Sequence, residues 1–161
     1  MDPMHATGKK GNGRPAFLLA QVGAHAASKF AERMGALGLT PPDAGILRLL
    51  RVTAGLSQQE LAAKLGIHPS RLVALLDELE QKDLVERKSN PDDRRQYSLH
   101  LTEKGEKKLE EIGHVAQRHQ EALCAALSLE ECAKLAELLR KIADQQGLTP
   151  GVHPGYRWIK R

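Results

Sequence analysis

Cysteine, aromatic side chains and long apolar runs are scarce in this 161-residue sequence. The two cysteines, Cys124 and Cys132, make no CxxC pair and cannot build a disulfide framework, so they read as buried thiols. Aromatic residues make up 3% of the chain and Trp158 is the one tryptophan, which argues against a base-stacking single-strand platform or an aromatic sugar site. No stretch approaches the ~20 apolar residues that span a bilayer, and no amino-terminal run has the flanks of a signal peptide, so cytoplasmic residence is expected. A phosphate-cradling Gly-rich loop and a nucleophile-base-orienter group are both missing. His114 and His119 stand five apart and miss the shared i,i+4 helical face that a zinc pair would use. Neither an enzyme nor a bound cofactor or metal is expected.

What is present is helical material. Hydrophobic residues make up 41% of the chain, enough for the core of one compact domain or one subunit of an oligomer, and most of them are leucine and alanine. Net charge is +4, from 24 basic and 20 acidic residues, a weak bias toward polyanions. Between His68 and Thr102 there are six Lys or Arg and seven Asp or Glu, so any polyanion site there depends on where the charges point.

The stretch from Leu56 to Gly105 organises the rest. Ser57-Gln58-Gln59-Glu60 is a capping box, Leu61 and Leu65 share a face, and Gly66 ends the helix. A second helix starts near His68-Pro69, with proline tolerated at its first position. Leu72, Leu75, Leu76 and Leu79 form its buried stripe, leaving Ser70, Arg71 and Ala74 outward near the amino end. Small and hydrogen-bonding residues there suit insertion into a major groove. Leu84 to Arg87 then reads as a strand, Asn90-Pro91-Asp92-Asp93 as a turn, and Tyr97, Leu99 and Leu101 alternate with Gln96, Ser98 and His100. This is a hairpin with one apolar face, and its turn is expected to display Arg87 and Lys88 on one side and Arg94 and Arg95 on the other.

The run Leu84-Val85-Glu86-Arg87, then Asn90 to Arg95, then Leu99-His100-Leu101-Thr102-Glu103-Lys104-Gly105 resembles the signature of the MarR family of bacterial transcriptional regulators. With Leu39-Thr40-Pro41-Pro42 upstream, the resemblance covers roughly residues 15–145. It implies a mainly α fold with a small β-wing, a winged helix-turn-helix plus a helical dimerisation region. His68, Ser70, Arg71 and Ala74 would match recognition-helix positions. Arg95 matches a wing-tip arginine that enters the minor groove, Asp93 an aspartate that orients it through a charge-assisted pair, and Arg94 a variable basic position. Arg87, Lys88 and Lys64 would position phosphate. Residues 15–35 hold no cysteine, so a peroxide-sensing version of the family is not expected.

By organisation, residues 1–13 read as a mobile basic tail, 14–38 as the first dimerisation helix, and 39–105 as the DNA-binding domain. Residues 106–147 read as long dimerisation helices, the first reaching Leu127 and the second opened by a Ser128/Glu131 box. Residues 148–161 form an extension anchored by Tyr156, Trp158 and Ile159. The expected function is a homodimeric regulator of double-stranded DNA with an inverted-repeat operator. Similar proteins are released by a small aromatic or lipophilic organic anion; here its cleft would draw on Phe17, His25, Arg48, Arg51 and Tyr97. The alternative is a winged-helix protein-interaction module without operator binding.

Overall fold

The computed structural model describes residues 13–157; the tail expected before residue 13 and the anchors Trp158 and Ile159 lie outside the described residues. The chain runs α1 (Pro15–Ala36), α2 (Pro41–Val52), α3 (Gln58–Leu65), α4 (Pro69–Gln81), β1 (Val85–Ser89), β2 (Tyr97–Leu101), α5 (Glu103–Leu123) and α6 (Leu129–Gln145), closing on a short 3-10 turn at Pro154–Arg157. No described helix is long and apolar enough to cross a membrane.

The helix starts follow from local chemistry. Thr40 with Asp43, Ser57 with Glu60 and Ser128 with Glu131 each exchange side-chain and backbone hydrogen bonds in a reciprocal box. The Thr102 hydroxyl accepts from Gly105 N at 2.9 Å and donates to the Asp83 carbonyl at 2.6 Å, so one side chain starts α5 and ties it to the end of α4. That end turns on Asp83, which takes a positive φ of 58° and lets Leu84 N reach back to the Leu79 carbonyl at 2.9 Å.

The core lies where α2, α3, α4 and the hairpin meet. Ile46, Leu47, Leu61, Leu72, Leu79 and Leu99 are all sealed from solvent. The hairpin is antiparallel, pairing Val85 with Leu101, Arg87 with Leu99 and Ser89 with Tyr97. β1 therefore starts one residue later than expected, because Leu84 is spent on the turn out of α4. Leu56 adds an isolated antiparallel bridge to Leu99, with Leu99 N donating to the Leu56 carbonyl at 2.9 Å. Tyr97, expected on the apolar face, sits at the far end of the register and is half exposed.

α5 ends at Leu123, short of the expected Leu127, because the chain must reverse before Ser128 can cap α6; Leu127 N closes that reversal on the Cys124 carbonyl at 2.9 Å. The expected boundary between residues 105 and 106 falls inside α5. Cys124 and Cys132 form no disulfide and are only partly buried, a correction to the buried thiols read from sequence. α6 has no buried residue, and its Leu135, Leu138, Leu139 and Ile142 face solvent beside Leu18, Leu19 and Val22 of α1.

Gly105 shows how closely α5 is set against the hairpin. A Cβ there would overlap the Leu84 carbonyl oxygen, a backbone atom that cannot swing aside, whereas Gly113 on the same helix faces open space. We expect Gly105→Ala to lower unfolding free energy by roughly 1–3 kcal/mol through overpacking. Gly113→Ala should be neutral or stabilising by up to about 1 kcal/mol through helix propensity. Chemical denaturation of both variants checks the contrast, and equal midpoints would contradict the packing described.

Candidate nucleic-acid interface

Burial of one face of α4 decides what the other presents. Leu72, Leu76 and Leu79 are buried at 0–1% exposure, which turns Ser70, Val73, Ala74 and Asp77 outward, with Arg71 half-buried at the margin. α3 reaches α4 through Gly66, whose φ of 63° makes the sharp exit, and through Ile67. His68 caps α4: its Nδ1 accepts from Ser70 N at 3.2 Å and lies 2.7 Å from Ser70 Oγ. An Nδ1 that accepts the amide also accepts the hydroxyl proton, which places the ring proton on Nε2. His68 is therefore first a structural cap, and Ser70 keeps its oxygen lone pairs for an outside donor.

The hairpin tip is shaped by its own side chains. Asn90 Oδ1 accepts from Asp92 N and Asp93 Oδ1 from Arg95 N, each at 3.0 Å, while Gln96 N donates to the Asp93 carbonyl. Asp93 thus orients Arg95 through its backbone amide, in place of the expected pair with the guanidinium. Arg94 and Arg95 are exposed at the tip, and neither side chain has an ion-pair partner among the described residues. Lys88 is exposed and pairs with Glu86 at 2.9 Å, and Lys64 is exposed in the last turn of α3.

Arg87 corrects the sequence reading. It stands opposite the fully buried Leu99 on the inward face of the hairpin, and its side chain is 16% exposed. Its Nε donates to Gln58 Oε1 at 2.9 Å, one Nη donates to Asp77 Oδ1 at 2.7 Å, and the other pairs with Glu80. Burial disfavours its charge, but the Asp77 hydrogen bond and the charges of Glu80 and Asp77 outweigh this and push the guanidinium further up. Arg87 is a clasp joining β1 to α3 and α4, so it is not displayed beside Lys88. Two-residue alternation from Val85 would have predicted this inward placement.

The sequence model of the MarR family matches residues 37–96. A protein assigned as a transcriptional regulator of the hcr operon in Thauera aromatica is 35% identical over 113 residues, covering 70% of this chain and 68% of that protein. The transcriptional repressor CouR, solved on a 23-mer DNA duplex, is 32% identical with a TM-score of 0.72, over 81% of this chain and 92% of that one. A MarR point mutant from E. coli complexed with operator DNA is 28% identical with a TM-score of 0.68, over 79% of this chain and 91% of that one.

The chain belongs to the MarR family. Its winged helix-turn-helix and helical flanks are the architecture of its MarR relatives, and its role is that of a DNA-binding transcriptional regulator, which is not an enzyme.

The residues expected to form one effector cleft in this MarR-family chain are dispersed. Arg48 and Arg51 do share a cavity of about 380 Å3 between α2 and α5, with Phe30, Leu109 and Ile112 in its wall. Its rim includes Gly151 and His153 from the carboxy-terminal extension, and the Gly151 carbonyl accepts from Arg48. His25 lies in a different cavity, between α1 and α5. Phe17 is 64% exposed on α1 and Tyr97 lies at the outer end of the wing, so neither lines the Arg48 cavity. Phe30 is a lining residue that the sequence reading missed, and so is the contribution of the extension. Among the described residues, no group of three or more His, Cys, Asp or Glu is gathered to hold a metal ion.

Arg87→Ala would leave Asp77 and Glu80 without their cation on the surface that faces outward from α4. The expected result is a loss of about 1–3 kcal/mol in stability and faster amide exchange in β1 and β2. Exchange rates in the hairpin that match the parent protein would contradict the clasp.

Proposed function

We propose that this chain acts in the cytoplasm as a homodimer, binds an inverted-repeat operator, represses by occupying promoter DNA and is released by a small organic anion. The observation that carries the reading is the division of its surface: the outward α4 face and the Arg94-Arg95 tip sit on one reading head, while an apolar strip of α1 and α6 lies apart from them.

The apolar strip supplies the dimer. Leu18, Leu19, Val22, Leu135, Leu138 and Ile142 form a contiguous exposed patch of a kind that monomers rarely tolerate. A two-fold pairing of this patch sets two α4 helices on successive major-groove faces about 34–36 Å apart. Within each half, Ser70, Arg71 and Ala74 meet base edges, Arg95 enters the narrow minor groove, and Lys64, Lys88 and Arg94 hold phosphate. Arg87 and Asp93 act through the shape they give the wing.

The effector reading rests on the α2–α5 cavity. About 380 Å3 suits a small molecule, its wall is mostly apolar, and Arg48 and Arg51 supply cations for a carboxylate. Arg51 lies 3.9 Å from Glu106, a loose pair. Arg48 is held by a neutral carbonyl, which a carboxylate would replace with a stronger charge-assisted bond.

At fixed moderate salt, Arg95→Ala should weaken operator binding about tenfold, near 1.4 kcal/mol, with helical signal and dimer unchanged. Unchanged affinity would remove Arg95 from the interface. Leu138→Glu should dissociate the dimer in sedimentation analysis and abolish high-affinity binding; a dimer that persists would place the subunit interface elsewhere.

A further inference from the structure

A second cavity, of about 570 Å3, opens between α1 and the far end of α5. Gln21, His25, Lys29 and Arg33 fall at intervals of four along α1 and present one side of it, and His119 faces them from α5. Val22, Ala122 and Leu123 complete the wall. Among the described residues no carboxylate lines this space; Glu32 pairs with Lys29 at 3.0 Å but is not part of the lining.

Two features mark this cavity as a site for an anion. The Arg33 Nε is sealed from solvent and has no hydrogen-bond acceptor, an unfavourable arrangement for a buried donor on a charged group. Arg33, Lys29 and two imidazoles also line one space, where Lys29 is paired with Glu32. Burial first, and then the charges of Arg33 and His25, hold the His119 imidazole below its ordinary range. His119 is fixed there by its ring contact with Phe30, at 5.5 Å between centroids and 47° between planes.

We propose that the α1–α5 cavity is a binding site for a phosphorylated small molecule, with Arg33 and Lys29 holding the phosphoryl oxygens and His25 and His119 donating from either side. Phosphate fits better than a single carboxylate because it brings multiple negative charge and several acceptor oxygens to a site with two cations and two imidazoles. The apolar wall accommodates the organic part of the ligand. This site is separate from the Arg48-Arg51 cavity, since the two linings share no residue and the Phe30–His119 contact stands between them, Phe30 lining one and His119 the other.

The test is a titration of the full-length dimer with inorganic pyrophosphate at constant ionic strength, read by calorimetry and by the ring resonances of His25 and His119. Saturable binding is expected, with both sets of ring resonances moving as the anion fills the site. Arg33→Gln and the more exposed Lys29→Gln should each weaken it at least about tenfold, as removal of one charge-assisted hydrogen bond implies. Affinity as high as the parent protein's in either variant, or shifts that never saturate, would overturn the proposal. So would a carboxylate of the second protomer occupying the cavity in the dimer.

Discussion

Burial of the α4 leucine stripe is the constraint on which the reading head depends. Because Leu72, Leu76 and Leu79 belong to one buried cluster with residues of α2, α3 and the hairpin, the helix cannot rotate about its axis, and Ser70 and Ala74 are held outward. Truncation of one of these leucines to alanine costs about 2–5 kcal/mol in well-packed cores, enough to put a marginally stable domain at risk. The Arg87 clasp extends the same constraint to the wing. Its three hydrogen-bonding partners come from α3 and α4, so the hairpin is registered against the helix that it flanks. Helix and wing therefore present one rigid surface, and the Arg94-Arg95 tip inherits its position from packing well behind it.

α5 links that surface to the rest of the molecule. Its start is locked to the wing by Thr102 and by the close seat of Gly105 on the Leu84 carbonyl. Its far end borders the cationic cavity beside α1, and its middle borders the Arg48-Arg51 cavity. One helix thus touches the hairpin and both candidate ligand sites. In a two-fold assembly built on α1 and α6, a ligand that favoured a different setting of α5 would alter the separation of the two reading heads, and DNA affinity would change by that differential binding energy.

Features set by neighbours in sequence were legible from sequence. Ser57 and Ser128 cap the helices they were expected to cap, and Thr40 and Thr102 do the same for α2 and α5, because a cap needs only residues three positions away. The α4 stripe and the hairpin turn followed from periodicity and turn chemistry in the same way. Features set by distant partners were not legible. The Leu56–Leu99 bridge joins residues 43 positions apart, and no local pattern announces it. Arg87 was misplaced because its charge outweighed its position in the alternation. Phe17 and Tyr97 were grouped with Arg48 by residue type alone, and the fold sends each to a different surface. The i,i+4 column from Gln21 to Arg33 could have been read as a cationic helix face, but its partner His119 comes from a helix far along the chain.

In the proposed function, paired copies of this chain read duplex sequence through a helix and a wing held in fixed relation. Selection of the purified dimer against a pool of random duplexes at constant moderate salt, followed by sequencing of the bound fraction, tests it most directly. Enrichment of an inverted repeat is expected, with half-site centres about one helical turn apart and flanking positions that favour a narrow minor groove. A bound pool with the same composition as the starting pool would contradict it.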